Sequence, residues 1–462
     1  MEGTLIVNGD SPTASEISPV MASLSRYLAE ASGMDLPDAV AEKGKHHIID
    51  TIAAMVSGSR LHPGIMTVKY ARSLGGTEEA TVVGSDIVTT AVNAALANGM
   101  LSHADETDDS HKTSRSHLGC GVVPAALAMA ERESASGTAL LRAVVLGYDI
   151  GARISFALDT HPFYDAGHST HTFAPTFGAA AAAASLAGLN ADQMRWMLSY
   201  TAQQVSGVNC WQRDLDHIEK AFDFGGMAGR NGVTSATMVQ AGFTGVDDVF
   251  SGPRNFFFAY SETPKPDELV HELGSRFEVA LTNIKKWSVG SPIQAPLDCL
   301  EAMLAKQPIA VDAIDRVSLH LSDREHSVVD DRHMPDICIQ HMVALMLLDG
   351  TVTFASSHDD DRMNDPAVRD LRQRIDLVGE AARERRTAVV RVRMRDGGVF
   401  EESQDAVRGT PDNPMGRDEV DAKAHDLMAP ILGEDRSRSL IDQIWSLESL
   451  TDCRSLRPLL TA

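Results

Sequence analysis

Positive charge is scarce in this chain. Lys and Arg number 41 against 64 Asp and Glu, a formal net charge of −23 over 462 residues. Nucleic acid and anionic lipid both require clustered positive charge, so neither is expected as a partner. An anionic substrate would need a local basic pocket. Cysteine is sparse too. The five, Cys120, Cys210, Cys299, Cys338 and Cys453, form no CxxC or other ligand-spaced set, which argues against zinc and iron–sulfur sites. Their odd number and wide spacing suit reduced cytosolic thiols. The N-terminal stretch MEGTLIVNGDSPTASEIS has no basic n-region and no long apolar run. No signal peptide or membrane span is therefore expected, and the cytoplasm is the default location. Internal repeats and low-complexity linkers are absent.

What the chain does contain is helical periodicity around an apolar share of 43%. LPDAVAEKGKHHIIDTIAAMVSG places Val40, His47, Ile48, Ile52 and Met55 on one helix face, with Pro37 near the start and Gly58 at the end. TTAVNAALANGMLSHADE and GTALLRAVVLGYDIGARISFAL continue the pattern. APTFGAAAAAASLAGL is Ala-rich, with Pro175 suited to a first turn, and its small side chains predict close helix packing. Asn190 and Gln193 form a capping-box pair. No strand-like alternation competes before about Gly242. Beyond Ser275, IDRVSLHLSD and AVVRVRMRDGGVFEES alternate as half-buried strands, with Asp396-Gly397 as a hairpin turn. Helical stretches lie between them, at PDICIQHMVALMLL and from Pro366. The expected fold is mainly α: a large all-helical domain over residues 1–274, completed by 401–462, plus a smaller α+β lid domain over 275–400.

Three polar clusters offer chemistry. HADETDDSHKTSRSHLGCG packs His103, Asp105, Glu106, Asp108, Asp109, Ser110, His111 and His117 at the end of an apolar helix. Such acid and base groups exchange protons near neutral pH, although a solvated acidic loop would look similar. Close His and Asp residues also suit a divalent ion, but no HExxH-like pattern appears and no metal is expected. In DAGHSTHTFAPTFG, His168 and His171 precede a buried helix whose N-terminal N–H groups favour a carboxylate; simple capping is the alternative. Lys220 stands ahead of Gly225-Gly226, placed to bind a carboxylate or, if desolvated, to exchange a proton. Weaker candidates are Lys285, Lys286 and Gln294 in KKWSVGSPIQAPLD, and Gln340 and His341 in CIQHMVALMLLDG.

Taken in order, these segments resemble the MmgE/PrpD family along nearly the whole chain. HADETDDS is similar to the family's His-x-x-Asp-x-Asp-Asp-Thr segment, and GHSTHTFAPTFGAAAA to its histidine-bearing turn before an Ala-rich helix. KAFDFGGMAGRNGVTSATMVQAGFTG and VVRVRMRDGGVFEESQDAVRGTPDNPMGRDE complete the likeness. The resemblance implies a helical domain built from both chain ends, an α+β lid, a homodimer and no cofactor. It also implies a small di- or tricarboxylate substrate, with dehydration of 2-methylcitrate, decarboxylation of cis-aconitate and epimerisation of iminodisuccinate among the known activities. By position, Asp109, His117 and Lys220 would be catalytic, together with His168, if one residue is inserted after it, or else His171. Glu106, Ser110, Lys286, Gln294 and His341 would bind substrate. Glu106 stands where the family usually has Asp, and Ser110 replaces Thr. Gln294 takes the place of a histidine found in decarboxylating members, and His341 that of a common tyrosine. The leading expectation is elimination of water from a hydroxy polycarboxylic acid in the manner of 2-methylcitrate dehydratase. Epimerisation, isomerisation and decarboxylation are alternatives, as are a metal-dependent hydrolase and an inactive binding protein of the same fold.

Overall fold

A computed structural model describes residues 17–462; most of the N-terminal stretch expected to lack a targeting signal lies outside the described residues. The first helix, Pro19–Glu30, starts where Ser18 accepts a hydrogen bond from the Met21 amide at 3.1 Å and proline occupies the first turn. Helix Asp38–Gly58 follows directly on Pro37 and is largely buried. The helices Ala91–Ser102, Gly119–Arg132, Gly137–Ala157, Thr170–Leu186, Ala191–Gln204 and Met227–Gln240 complete the N-terminal bundle. At Ala191–Gln204 the Asn190–Gln193 capping box is present, with both bonds 3.0 Å.

Small residues let these helices approach closely. A Cβ on Gly178 would lie 2.4 Å from the Gly147 carbonyl oxygen, so helices Gly137–Ala157 and Thr170–Leu186 meet at backbone contact distance. Pro175 is not in the first turn of its helix, which begins five residues earlier at Thr170. Its ring therefore leaves the His171 carbonyl without the usual amide donor four residues on. Two two-residue strands, β1 (Ala80–Thr81) and β2 (Val88–Thr89), pair antiparallel within this helical region. They are too short to show a period in the sequence.

The α+β unit holds a four-stranded sheet of order β4-β3-β5-β6: β3 (Ile314–Ser322), β4 (Ile375–Glu380), β5 (Ala388–Met394) and β6 (Val399–Gln404). β4 runs parallel to β3; the other pairs are antiparallel. Val317, Leu319, Leu321, Val390 and Val392 are buried in a core shared with helices Gln294–Lys306 and Ile339–Asp349. Arg391 and Arg393 face solvent, as the alternation requires. β4 is an edge strand with a single buried residue, Ile375, so it carries little of the alternation that reveals β3 and β5. The chain then returns to the helical region. Val420, Ala424, Leu427 and Met428 of helix Arg417–Leu432 share a core with Ile48 and Ile52. Lys423 pairs with Asp50 at 2.5 Å and donates to the Thr107 carbonyl at 2.9 Å. Among the described residues no helix is long and apolar enough to cross a membrane.

Candidate active site

The loop of residues 103–117 joins helices Ala91–Ser102 and Gly119–Arg132 and is mostly buried, with Lys112 and Thr113 exposed at its tip. Short-range bonds shape it. Asp105 accepts from the Thr107 amide at 3.0 Å and from its hydroxyl at 2.6 Å, and Ser110 exchanges backbone bonds with Asn283 at 3.0 and 2.9 Å. Asp109 accepts from the Gly119 amide at 3.1 Å, Tyr148 Oη at 2.5 Å and His47 Nδ1 at 2.8 Å. With Asp109 tied to the helices on one side, Asp108 reaches the other. Its Oδ1 lies 3.0 Å from Nδ1 of both His103 and His117. Burial raises the Asp108 pKa, but the two imidazoles outweigh it and hold the carboxyl well below the usual range. An ionised Asp108 accepting from His117 Nδ1 leaves the lone pair of the neutral ring on Nε2. These three groups are also close enough together to hold a divalent ion.

Around this dyad stand further rings and cations. His171 stacks on Phe224 with centroids 4.1 Å apart and lies 5.4 Å from His117. Burial, then the charges of His117 and Lys220, holds its pKa well below the ordinary histidine value, so it is neutral at pH 7. Phe224 sits in a π-helical turn, Phe222–Gly226, which begins two residues after Lys220. Gly225 meets Gly99 of helix Ala91–Ser102 so closely that a Cβ on it would lie 2.0 Å from the Gly99 carbonyl oxygen. That contact seats the turn against the start of the acidic loop. Lys220 Nζ pairs with Glu106 and lies 5.5 Å from the Trp211 ring centroid. Lys285 Nζ donates to the Glu106 carbonyl at 2.6 Å and stands 3.4 Å from its carboxylate and 3.9 Å from Asp108. Burial pushes Glu106 up, yet Lys220 and Lys285 hold it well below its ordinary value. His217, at φ +59°, has its ring 5.2 Å from His103; burial and Lys220 keep it neutral.

The α+β unit adds groups that sequence reasoning missed. His358 lies 3.0 Å from Asp105. Burial lowers its pKa, but the bond to Asp105 and the charges of Asp105 and Asp336 raise it to about 9. Asp336 is 3% exposed, and Arg386, at φ +66°, donates its amide to Glu325 at 2.9 Å and holds its guanidinium 3.6 Å from that carboxylate. These residues stand alone in their segments, so no local pattern marks them. Only the fold brings His358 to the acidic loop.

Of the residues singled out by sequence, His117, His171, Lys220 and Glu106 come together. Asp109 is held by Tyr148, His47 and Gly119, and it is Asp108 that contacts His117. His168 stacks on Phe163 at 4.6 Å and bridges to the Val208 backbone, so the histidine beside His117 is His171. Ser110 contributes its backbone to the Asn283 bridge, and its buried hydroxyl has no partner among the described residues. Lys286 pairs with Glu301 and lies over the Trp287 ring, whereas the adjacent Lys285 turns to Glu106. Gln294 bonds the Trp287 amide at 3.1 Å and the Trp287 and Val289 carbonyls at 2.8 and 3.0 Å, a structural brace for that turn. His341 is fully buried within the helix Ile339–Asp349, with neither ring nitrogen bonded by a described residue; burial, with Arg372 and Arg362, lowers it to about 4.

Known proteins are similar to this chain along most of its length. The family model for the MmgE/PrpD N-terminal domain matches residues 22–269, and that for the MmgE/PrpD C-terminal domain matches residues 287–448. A cis-aconitate decarboxylase of Aspergillus terreus is 25% identical over 480 residues, covering 96% of each chain. The cis-aconitate decarboxylase of Homo sapiens is 25% identical over 459 residues, covering 92% of this chain and 91% of its own.

Proposed function

Because the chain belongs to the MmgE/PrpD family, we propose that it is a lyase for a small polycarboxylate and that His117 moves the proton at carbon. The observation that carries this reading is the His117–Asp108 pair, with Lys220 and Lys285 beside it. The Asp108 carboxylate orients the ring and stabilises the imidazolium that forms when Nε2 takes a carbon-bound proton. Lys220 and Lys285 supply positive charge for substrate carboxylates and for the enolate-like charge that develops. An incoming carboxylate competes with Glu106 for Lys220, so binding includes an exchange of ion-pair partners.

The finer reading is elimination of water from a hydroxy polycarboxylic acid. Two kinds of proton-handling group favour it: a histidine oriented as a base, and neighbouring groups able to serve the departing oxygen. Decarboxylation is the second reading, favoured by relatives named cis-aconitate decarboxylase that align along 96% of the chain. The proposal extends to a homodimer, for which light scattering should return twice the 49.7 kDa chain mass. The deciding experiment incubates the protein with citrate, 2-methylcitrate, malate and cis-aconitate, with and without chelator, and follows water loss and CO2 release separately. Turnover that survives chelation and is lost in His117→Ala supports the proposal; turnover that vanishes with chelator and returns with one divalent ion overturns its proton-transfer chemistry. Release of CO2 without water loss selects the second reading.

A further inference from the structure

A buried carboxylate needs a paired cation, and on a chain of net charge −23 that cation has to be local. Lys220 and Lys285 are both engaged by Glu106. Arg115 stands close by without such a partner. It occupies the turn closed by the His111–Ser116 bridge, at φ +49°, two residues ahead of His117. A non-glycine residue held in that region is uncommon and costs backbone strain. Its carbonyl accepts from Thr170 Oγ1 at 2.6 Å, which fixes the turn to the residue before His171. Its guanidinium lies over the Tyr164 ring, 3.7 Å from the centroid. Tyr164 is braced in turn by the segment that carries Trp211. Its Oη accepts from Gln212 Nε2 at 2.8 Å, and its carbonyl from Asn209 Nδ2 at 3.0 Å. The Tyr164 ring lies 6.3 Å from His171, which is 5.4 Å from His117.

The donors of this guanidinium are largely uncommitted. Nη1 lies 3.4 Å from His161 Nδ1 and 4.0 Å from the exposed carboxylate of Asp165, and Nε and Nη2 donate to no described residue. Arg153 shows the opposite case. It pairs with Asp149 and donates to the carbonyls of Glu268, His271, Glu272 and Arg276, so its work is to hold that segment. Arg115, Tyr164, His171, Trp211 and Lys220 are half-buried, whereas Asp108 and His103 are fully buried. Solvent therefore reaches His117 from the side these five residues line. Lys220 Nζ lies 5.3 Å from the Phe224 ring, and Phe224 stacks on His171. Lys220 thus meets the stacked pair at Phe224, and Arg115, through Tyr164, meets it at His171.

We propose that Arg115 binds a second carboxylate of the substrate, remote from the carbon whose proton His117 takes, and so selects acids with one more carboxylate than Lys220 and Lys285 hold. The inference rests on the polycarboxylate-lyase reading. The planar fork of arginine matches a carboxylate with two parallel N–H bonds, and the face of Tyr164 holds the fork in place. Lys220 has to exchange Glu106 for the substrate, whereas Arg115 gives up no close ion pair.

The test is calorimetric binding of two acids to the full chain. One is tricarballylate; the other is methylsuccinate, the same carbon skeleton with one terminal carboxylate replaced by hydrogen. Neither carries a hydroxyl, so neither eliminates water. The unmodified protein should hold tricarballylate roughly tenfold more tightly or better, the worth of a hydrogen-bonded charge. Arg115→Gln should weaken tricarballylate by about tenfold and leave methylsuccinate within about twofold. Arg115→Lys should fall between, because it keeps the charge and loses the fork. Tyr164→Leu should lose part of the preference, and Tyr164→Phe, which keeps the ring, should retain it. A turn that Arg115 merely shapes would weaken both acids alike. Equal weakening, no weakening, or an unmodified protein that binds neither acid or fails to distinguish them overturns the proposal. Tricarballylate bound through Arg115 by a protein that turns over no acid of the substrate panel overturns the lyase reading and leaves the role of Arg115 standing. Turnover indifferent to Arg115 does the reverse.

Discussion

Asp108 and Asp109 are neighbours in the chain, yet they belong to two buried polar networks of different kinds. Around Asp109 both carboxylate oxygens are taken: Oδ1 by the Gly119 amide, Oδ2 by Tyr148 and His47. Around Asp108 the network is open. On the Asp109 side His47 Nε2 and Thr51 Oγ1 are left without a partner among the described residues, but on the Asp108 side the carboxylate's own Oδ2 is, together with His103 Nε2, His171 Nδ1, His217 Nε2 and Trp211 Nε1. Buried polar atoms are normally paired, because each unpaired one costs about 1–3 kcal/mol. Several in one place mark a region arranged for something other than stability. The closed network holds the loop; the open one faces what the loop presents.

The comparison is sharpest in paired substitutions. Asp109→Ala strips its donors of a common acceptor and should destabilise the fold by about 3 kcal/mol or more, read as a lower urea midpoint. His117→Ala should reduce kcat by roughly 10²-fold or more with an unfolding midpoint close to that of the parent. If Asp109→Ala folds normally and loses only activity, the division between the two networks is wrong.

A smaller effect is expected at Lys220. Lys220→Ala removes one of two ammonium groups near Glu106 and should raise KM about tenfold, through weaker carboxylate binding. If kcat also falls, the lysine moves a proton as well.

His358 and Asp105 link the open network to the α+β unit, and their stability contribution depends on pH. The folded-state pKa of His358 lies at about 9, above its ordinary 6.5. The pair's contribution is therefore fully present below about pH 6.5 and is lost as pH rises through about 9. Its ceiling is roughly 3 kcal/mol. His358→Gln should lower the thermal midpoint clearly at pH 6 and little at pH 9.5. Equal shifts at both values would remove the ion pair from the account.

The smallest effect belongs to Lys286. Its ammonium is engaged by half-exposed Glu301, an interaction worth about 0–1 kcal/mol. Lys286→Ala should leave KM within twofold, whereas Lys285→Ala should raise it. The reverse outcome would exchange the roles assigned to these two lysines.

Much of this molecule was written along the chain. The helix faces of residues 38–58 and 137–157, the Asn190 cap, the alternation of β3 and β5 and the turn at Gly397 all depend on neighbours a few positions apart, and period and capping chemistry report such relations directly. The density of His, Asp and Glu in residues 103–117 marked the site for the same reason. Which members of that cluster face inward was not written there. Asp108 and Asp109 are identical residues side by side, and only Tyr148, His47 and the Gly119 amide decide that one is an anchor and the other the partner of His117. Lys285 and Lys286 divide likewise, as do His168 and His171, because packing selects one side of a turn and local sequence does not. His358 carries no mark at all: it lies more than two hundred residues from the acidic loop, and its charge acquires meaning only when the fold sets it 3.0 Å from Asp105.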